Sequence, residues 1–115
     1  MRDMTAIRER YLRDGLPIRL GGLAANLARM KSFSALPQAR DAMEGLIEES
    51  KLFIEWAAPE AELETQAELV ELQLQLAMWH ANWDELWSDP AGRQAVSAAA
   101  EQWSQRVLDF SGLLN

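Results

Sequence analysis

Residues 63–87, LETQAELVELQLQLAMWHANWDELW, decide what kind of chain this is. Leu69, Leu72, Leu76, Trp79, Trp83 and Leu86, with Trp87 beside them, recur at steps of three and four, the spacing that lines side chains along one face of an α-helix. At about 100° per residue, Leu63, Ala67, Val70, Leu74, Ala77, Met78 and Ala81 fall in a second stripe on nearly the opposite side. One apolar face is enough to join a helical core. A helix with two is either enclosed by neighbours on both sides or carries an outer face that meets another chain.

The rest of the sequence keeps the same period. Leu16, Leu20, Leu23, Leu27 and Met30 form one stripe, Met43, Ile47, Ser50, Ile54 and Ala57 a second, and Val96, Ala99, Trp103, Val107, Phe110 and Leu114 a third. Between the helical segments stand Gly15-Leu16-Pro17, Ser34-Ala35-Leu36-Pro37, Ala58-Pro59-Glu60 and Ser88-Asp89-Pro90. Proline cannot continue a helix but is tolerated in the first turn of one, so each point reads as a helix start. Ser34 and Ser88 or Asp89 supply oxygens for capping, and Glu60, Glu62 and Glu64 place negative charge near the positive end of the third helix dipole.

Four helices of roughly 20 residues, each about 30 Å long, joined by short connections, predict an all-α protein. The architecture expected is an antiparallel up-and-down four-helix bundle filling one domain over residues 1–115. Met4, Ile7 and Tyr11 mark a short N-terminal helical extension, broken from the first long helix at Gly15 and Pro17. In such a bundle Trp79, Trp83 and Trp87 lie level with Ala95, Ala98, Ala99 and Ala100, large rings against small residues. Gly21 and Ala25, with Ala24 and Ala28, let a neighbouring helix approach closely.

Composition narrows the function. Apolar residues make up 49% of the chain and charged residues 25%, the balance of a folded globular protein. There is no cysteine, which removes thiol chemistry and cysteine-based zinc sites. The first residues carry charge without an apolar core, and no uncharged run approaches the roughly 18 residues of a membrane span; a cytoplasmic protein without integral membrane association is expected. Residues 1–40 hold eight Arg/Lys against three Asp/Glu, and the remainder three against fifteen, for a net charge of −7. That split implies either a basic first region lying beside acidic helices, with Arg19 and Arg29 in reach of their carboxylates, or a basic surface for an acidic partner. Arg2, Arg8, Arg10, Arg13 and Arg19 with Tyr11 are the one candidate nucleic-acid patch, but a pI near 4.6 opposes binding driven by phosphate neutralisation, so no nucleic-acid partner is expected.

Catalytic constellations are scarce. His80 is the only histidine; Asp84, one turn on, is within reach of it, but one histidine and one carboxylate do not make a metal site. A di-iron centre needs Glu-x-x-His twice, and here residue 77 is Ala. Glu48, Glu49 and Glu55 with Glu64, Glu68 and Glu71 read as solvated acidic faces. Gly21-Gly22 lacks the spacing and lysine of a phosphate loop. The expectation is a protein that is not an enzyme and has no cofactor.

The stretches 16–25, LPIRLGGLAA, and 48–56, EESKLFIEW, resemble a group of small, uncharacterised helical proteins of cyanobacteria. The resemblance implies no activity and no functional residue. What remains is an interaction module that pairs with itself, as a homodimer, or with another protein through Leu63, Ala67, Val70, Leu74, Ala77 and Ala81. The alternative is a binder of small or lipid-like molecules in a pocket walled by Trp79, Trp83, Trp87 and His80.

Overall fold

The computed structural model describes residues 3–114, which are mostly helical with no strand among them. Six α-helices follow one another: α1 (Met4–Arg13), α2 (Leu16–Phe33), α3 (Arg40–Ala57), α4 (Leu63–Ala81), α5 (Trp83–Ser88) and α6 (Pro90–Phe110). Short 3-10 turns, Pro37–Ala39 and Ala58–Glu60, flank α3. No helix among the described residues is long and apolar enough to cross a membrane.

The four prolines divide the chain, but by two different devices. Pro17 and Pro90 lie in the first turns of α2 and α6, and the Asp89 carboxylate caps α6 by accepting from the Ala91 N–H at 3.1 Å. Pro37 and Pro59 sit instead in the 3-10 turns, so α3 and α4 begin three and four residues later. Ser34 does not cap the helix ahead of it; its hydroxyl donates back to the Met30 carbonyl at 2.7 Å, at the end of α2. Only Glu64 of the three expected glutamates occupies the first turn of α4.

α1 is held chiefly through Tyr11, whose ring meets Trp56 at 5.9 Å between centroids. The Tyr11 ring stacks on Phe53 of α3 with centroids 3.9 Å apart, and its hydroxyl donates to the Arg19 carbonyl at 2.7 Å. Burial pushes the phenol well above its ordinary pKa, against a smaller downward pull from Arg19. The ring is therefore committed to packing and is not a free stacking surface.

α2 is the most enclosed helix. It packs against α6 along much of its length and against α3 on another side, and Leu20, Leu23, Leu27 and Met30 are fully buried. Ser104 of α6 donates to the Ala24 carbonyl at 2.8 Å, which marks the close approach there. Ala25 and Ala28, by contrast, face solvent. Met43, Ile47, Ser50, Ile54 and Ala57 line the buried side of α3, and Leu69, Leu72, Leu76 and Trp79 that of α4. These residues join Val96, Ala100, Trp103 and Val107 of α6 in one continuous cluster.

The third helical segment does not run unbroken to residue 88. It ends at Asn82, whose backbone leaves the helical region (φ −112°, ψ 22°) and whose side-chain amide donates to the Met78 carbonyl at 3.0 Å. A side chain that competes for helical backbone partners is a physical reason for a break without proline or glycine. α5 then packs on α6. Gly92 permits that contact, since a Cβ there would lie 2.6 Å from the Leu86 carbonyl oxygen. Of the alanines expected to make room for the tryptophans, Ala100 is buried and Ala99 partly so, while Ala95 and Ala98 are exposed.

Candidate functional site

α4 carries its two apolar stripes into different surroundings. The inner one lies against α3 and the core. On the outer one Leu63 is 82% exposed, Val70 57%, Leu74 63% and Met78 62%, and Ala67, Ala77 and Ala81 are exposed with them. The outer face stays open because α4 packs chiefly on α3, touches α6 only lightly, and has no helix on its far side. Scattered exposed leucines are ordinary; here they form a row along one helix.

The flanks of that row are polar. Arg106 of α6 pairs with Glu68 and lies 3.6 Å from Glu71. Gln66 donates to the Ala58 carbonyl at 2.9 Å and Gln73 to the Lys51 carbonyl at 3.2 Å. Glu68 and Glu71 turn toward α6, while Glu49 accepts from Asn26 at 3.1 Å.

The four residues named for a pocket are divided. Trp79, Trp83 and Trp87 are all buried in the core cluster. Trp83 and Trp87 pack with centroids 5.4 Å apart, and Arg93 lies over Trp87, 5.5 Å from its centroid, donating to that residue's carbonyl at 2.6 Å. Trp79 borders an open depression of about 410 Å³ shared with Met78, Leu86 and Gly92. His80 and Trp83 border a different one, of about 290 Å³.

His80 is half-buried and faces α3. Its Nε2 lies 3.5 Å from Glu48 Oε1 and 3.7 Å from Glu44 Oε2, and its Nδ1 is 3.5 Å from the Lys51 ammonium. Asp84, one turn on in the sequence, pairs with Arg40. Glu44 had no place in the sequence reading. Its only signal was the one-turn spacing to Glu48, which is meaningless until α4 brings His80 opposite.

The basic segment is partly absorbed into the fold. Arg19 is buried and donates to the carbonyls of Asp14 and Trp56, with Glu60 at 2.8 Å, as the charge split implied. Lys31 meets Glu101 at 3.1 Å. Arg29 finds an amide rather than a carboxylate, donating to Asn26 Oδ1 at 2.9 Å. Arg8, Arg10 and Arg13 are exposed, and Arg2 lies outside the described residues. Compared with known proteins, the chain matches no family model, no curated protein and no solved structure.

Proposed function

We propose that the protein is a non-catalytic interaction module that pairs with a second copy of itself through the outer face of α4. Behind that face, α2, α3, α4 and α6 form an antiparallel up-and-down four-helix bundle, with α1 as the N-terminal extension. The observation that carries the reading is the exposed row itself. Leu63, Ala67, Val70, Leu74, Ala77 and Ala81 repeat at alternating steps of four and three over the whole of α4. That repeat is the one by which two helices bury a common seam. A second copy brings a matching seam, and a twofold axis makes the contact self-complementary. The reading places the protein in the cytoplasm.

Sedimentation equilibrium from micromolar to several hundred micromolar protein tests this directly. A concentration-dependent dimer that becomes a monomer in Leu74→Glu is the expected result. A monomer across the whole range would falsify self-association.

A second reading, a binder of small apolar molecules, draws on the depression beside Trp79, whose lining includes Met78 and Leu86. Titration with a lipid and cofactor library while following tryptophan fluorescence tests it. Saturable quenching that is lost in Leu86→Ser supports that reading, and a flat response removes it.

A further inference from the structure

We propose that Glu44 and Glu48 of α3 and His80 of α4 form a binding site for one divalent transition cation of the zinc class. The two glutamates stand one turn apart on α3, so their carboxylates share a face. His80 comes from the last turn of α4. One donor atom from each of the three residues falls within 4.8 Å of the other two.

The separations distinguish this arrangement from an ordinary ion pair. At 3.5 and 3.7 Å, the imidazole Nε2 is too far from either carboxylate for a good hydrogen bond. Those distances are close to the edge of a tetrahedron, about 3.4 Å, around a cation whose ligand bonds are about 2.1 Å. A small inward movement of two glutamate side chains closes the site. One imidazole nitrogen with two carboxylate oxygens suits zinc, cobalt or iron in the divalent state, whereas magnesium and calcium prefer oxygen alone.

The surroundings orient and serve the same three residues. Arg40 lies 3.5 Å from Glu44 Oε1, which leaves Oε2 toward His80. The depression of about 290 Å³ beside His80 is bordered by Glu44, Asp84 and Glu85, with Arg40 paired to the first two, and opens the site to solvent. Trp83 borders the same depression; it is only 3% exposed, and its buried indole N–H has no acceptor among the described residues.

Lys51 works against the site. A cation on Nε2 leaves the ring proton on Nδ1, facing the Lys51 ammonium 3.5 Å away. Lys51 must therefore turn aside when the cation binds, and removing its charge should tighten binding.

The test uses the full chain without a histidine tag. Zinc is titrated by calorimetry, cobalt is followed by its visible absorption, and magnesium serves as the control. One equivalent of zinc should bind, and magnesium should not compete. His80→Ala, Glu44→Gln and Glu48→Gln should each weaken zinc binding roughly tenfold or more, and Lys51→Met should strengthen it. All three ligand positions are at least partly exposed, and circular dichroism of the metal-free variants confirms their fold. Because His80 is the only histidine and cysteine is absent, a nitrogen-ligand signature in the cobalt spectrum can be assigned to it. The proposal is overturned if cobalt mixed with the protein keeps the weak d–d spectrum of the aqueous ion, or if His80→Ala binds zinc as tightly as the native chain.

Discussion

Helices α2 and α4 are nearly equal in length, eighteen and nineteen residues, yet they spend their side chains in opposite ways. α2 buries an arginine and an asparagine; α4 exposes two leucines, a valine and a methionine. The difference follows from position. α2 has α3 on one side and α6 on the other, so even Arg19 and Asn26 are enclosed, and each finds partners. Asn26 donates to Glu49 at 3.1 Å and to Ser50 at 3.4 Å while accepting from Arg29. α4 has a neighbour chiefly on one side, and the stripe that faces away keeps its apolar residues in water. A buried polar group that is bonded costs little. An apolar row left exposed retains burial free energy that only a partner can recover.

The largest break in this comparison comes from the inner side of the α4–α5 segment. Trp83→Ala removes a buried ring that packs on Trp87, and should destabilise the fold by about 3–5 kcal/mol in urea or guanidinium denaturation. A loss below about 1 kcal/mol, the range of ordinary surface substitutions, would mean that this ring is not a core element.

Next comes the polar interior of α2. Asn26→Ala strips partners from Ser50, Glu49 and Arg29 at once, and should cost about 1–3 kcal/mol by the same measurement. If the change were neutral, the enclosed polar cluster would contribute nothing that water could not replace.

On the half-exposed margin of α4 the effect should shrink again. His80→Ala, measured with a chelator present, should cost roughly 1 kcal/mol or less, because the ring has no short hydrogen bond to lose. A greater loss than that of Trp83→Ala would reverse the assignment of core and margin.

The smallest effect on the fold belongs to the outer stripe. Leu74→Ser should leave the unfolding free energy of dilute, monomeric protein within about 0.5 kcal/mol, while weakening association in the sedimentation experiment. Stability and association thus separate the two faces of one helix. A variant that destabilised the monomer strongly would place Leu74 in the core instead.

Most of the helical content was legible in the sequence because it is written locally. Steps of three and four recur wherever a face is buried, and proline with its flanking Ser, Asp or Gly marks where a helix cannot continue. Leu69, Leu72, Leu76 and Trp79 were readable as one apolar stripe on that basis alone, and so was the existence of a second stripe through Leu63, Val70 and Leu74. The sequence could not say which stripe would find a neighbour, since that depends on where α6 lies relative to α4. The helix break at Asn82 was hidden as well, because the side-chain bond to the Met78 carbonyl competes with a helical pattern that continues through it. Arg19 and Asn26 looked like surface residues by type, and only the packing of α3 and α6 around α2 enclosed them and supplied their partners. The meeting of Glu44 and Glu48 with His80 was likewise decided by tertiary structure. It spans more than thirty residues of chain, and the register between α3 and α4 that sets it comes from the fit of two buried faces, which no spacing within either helix records.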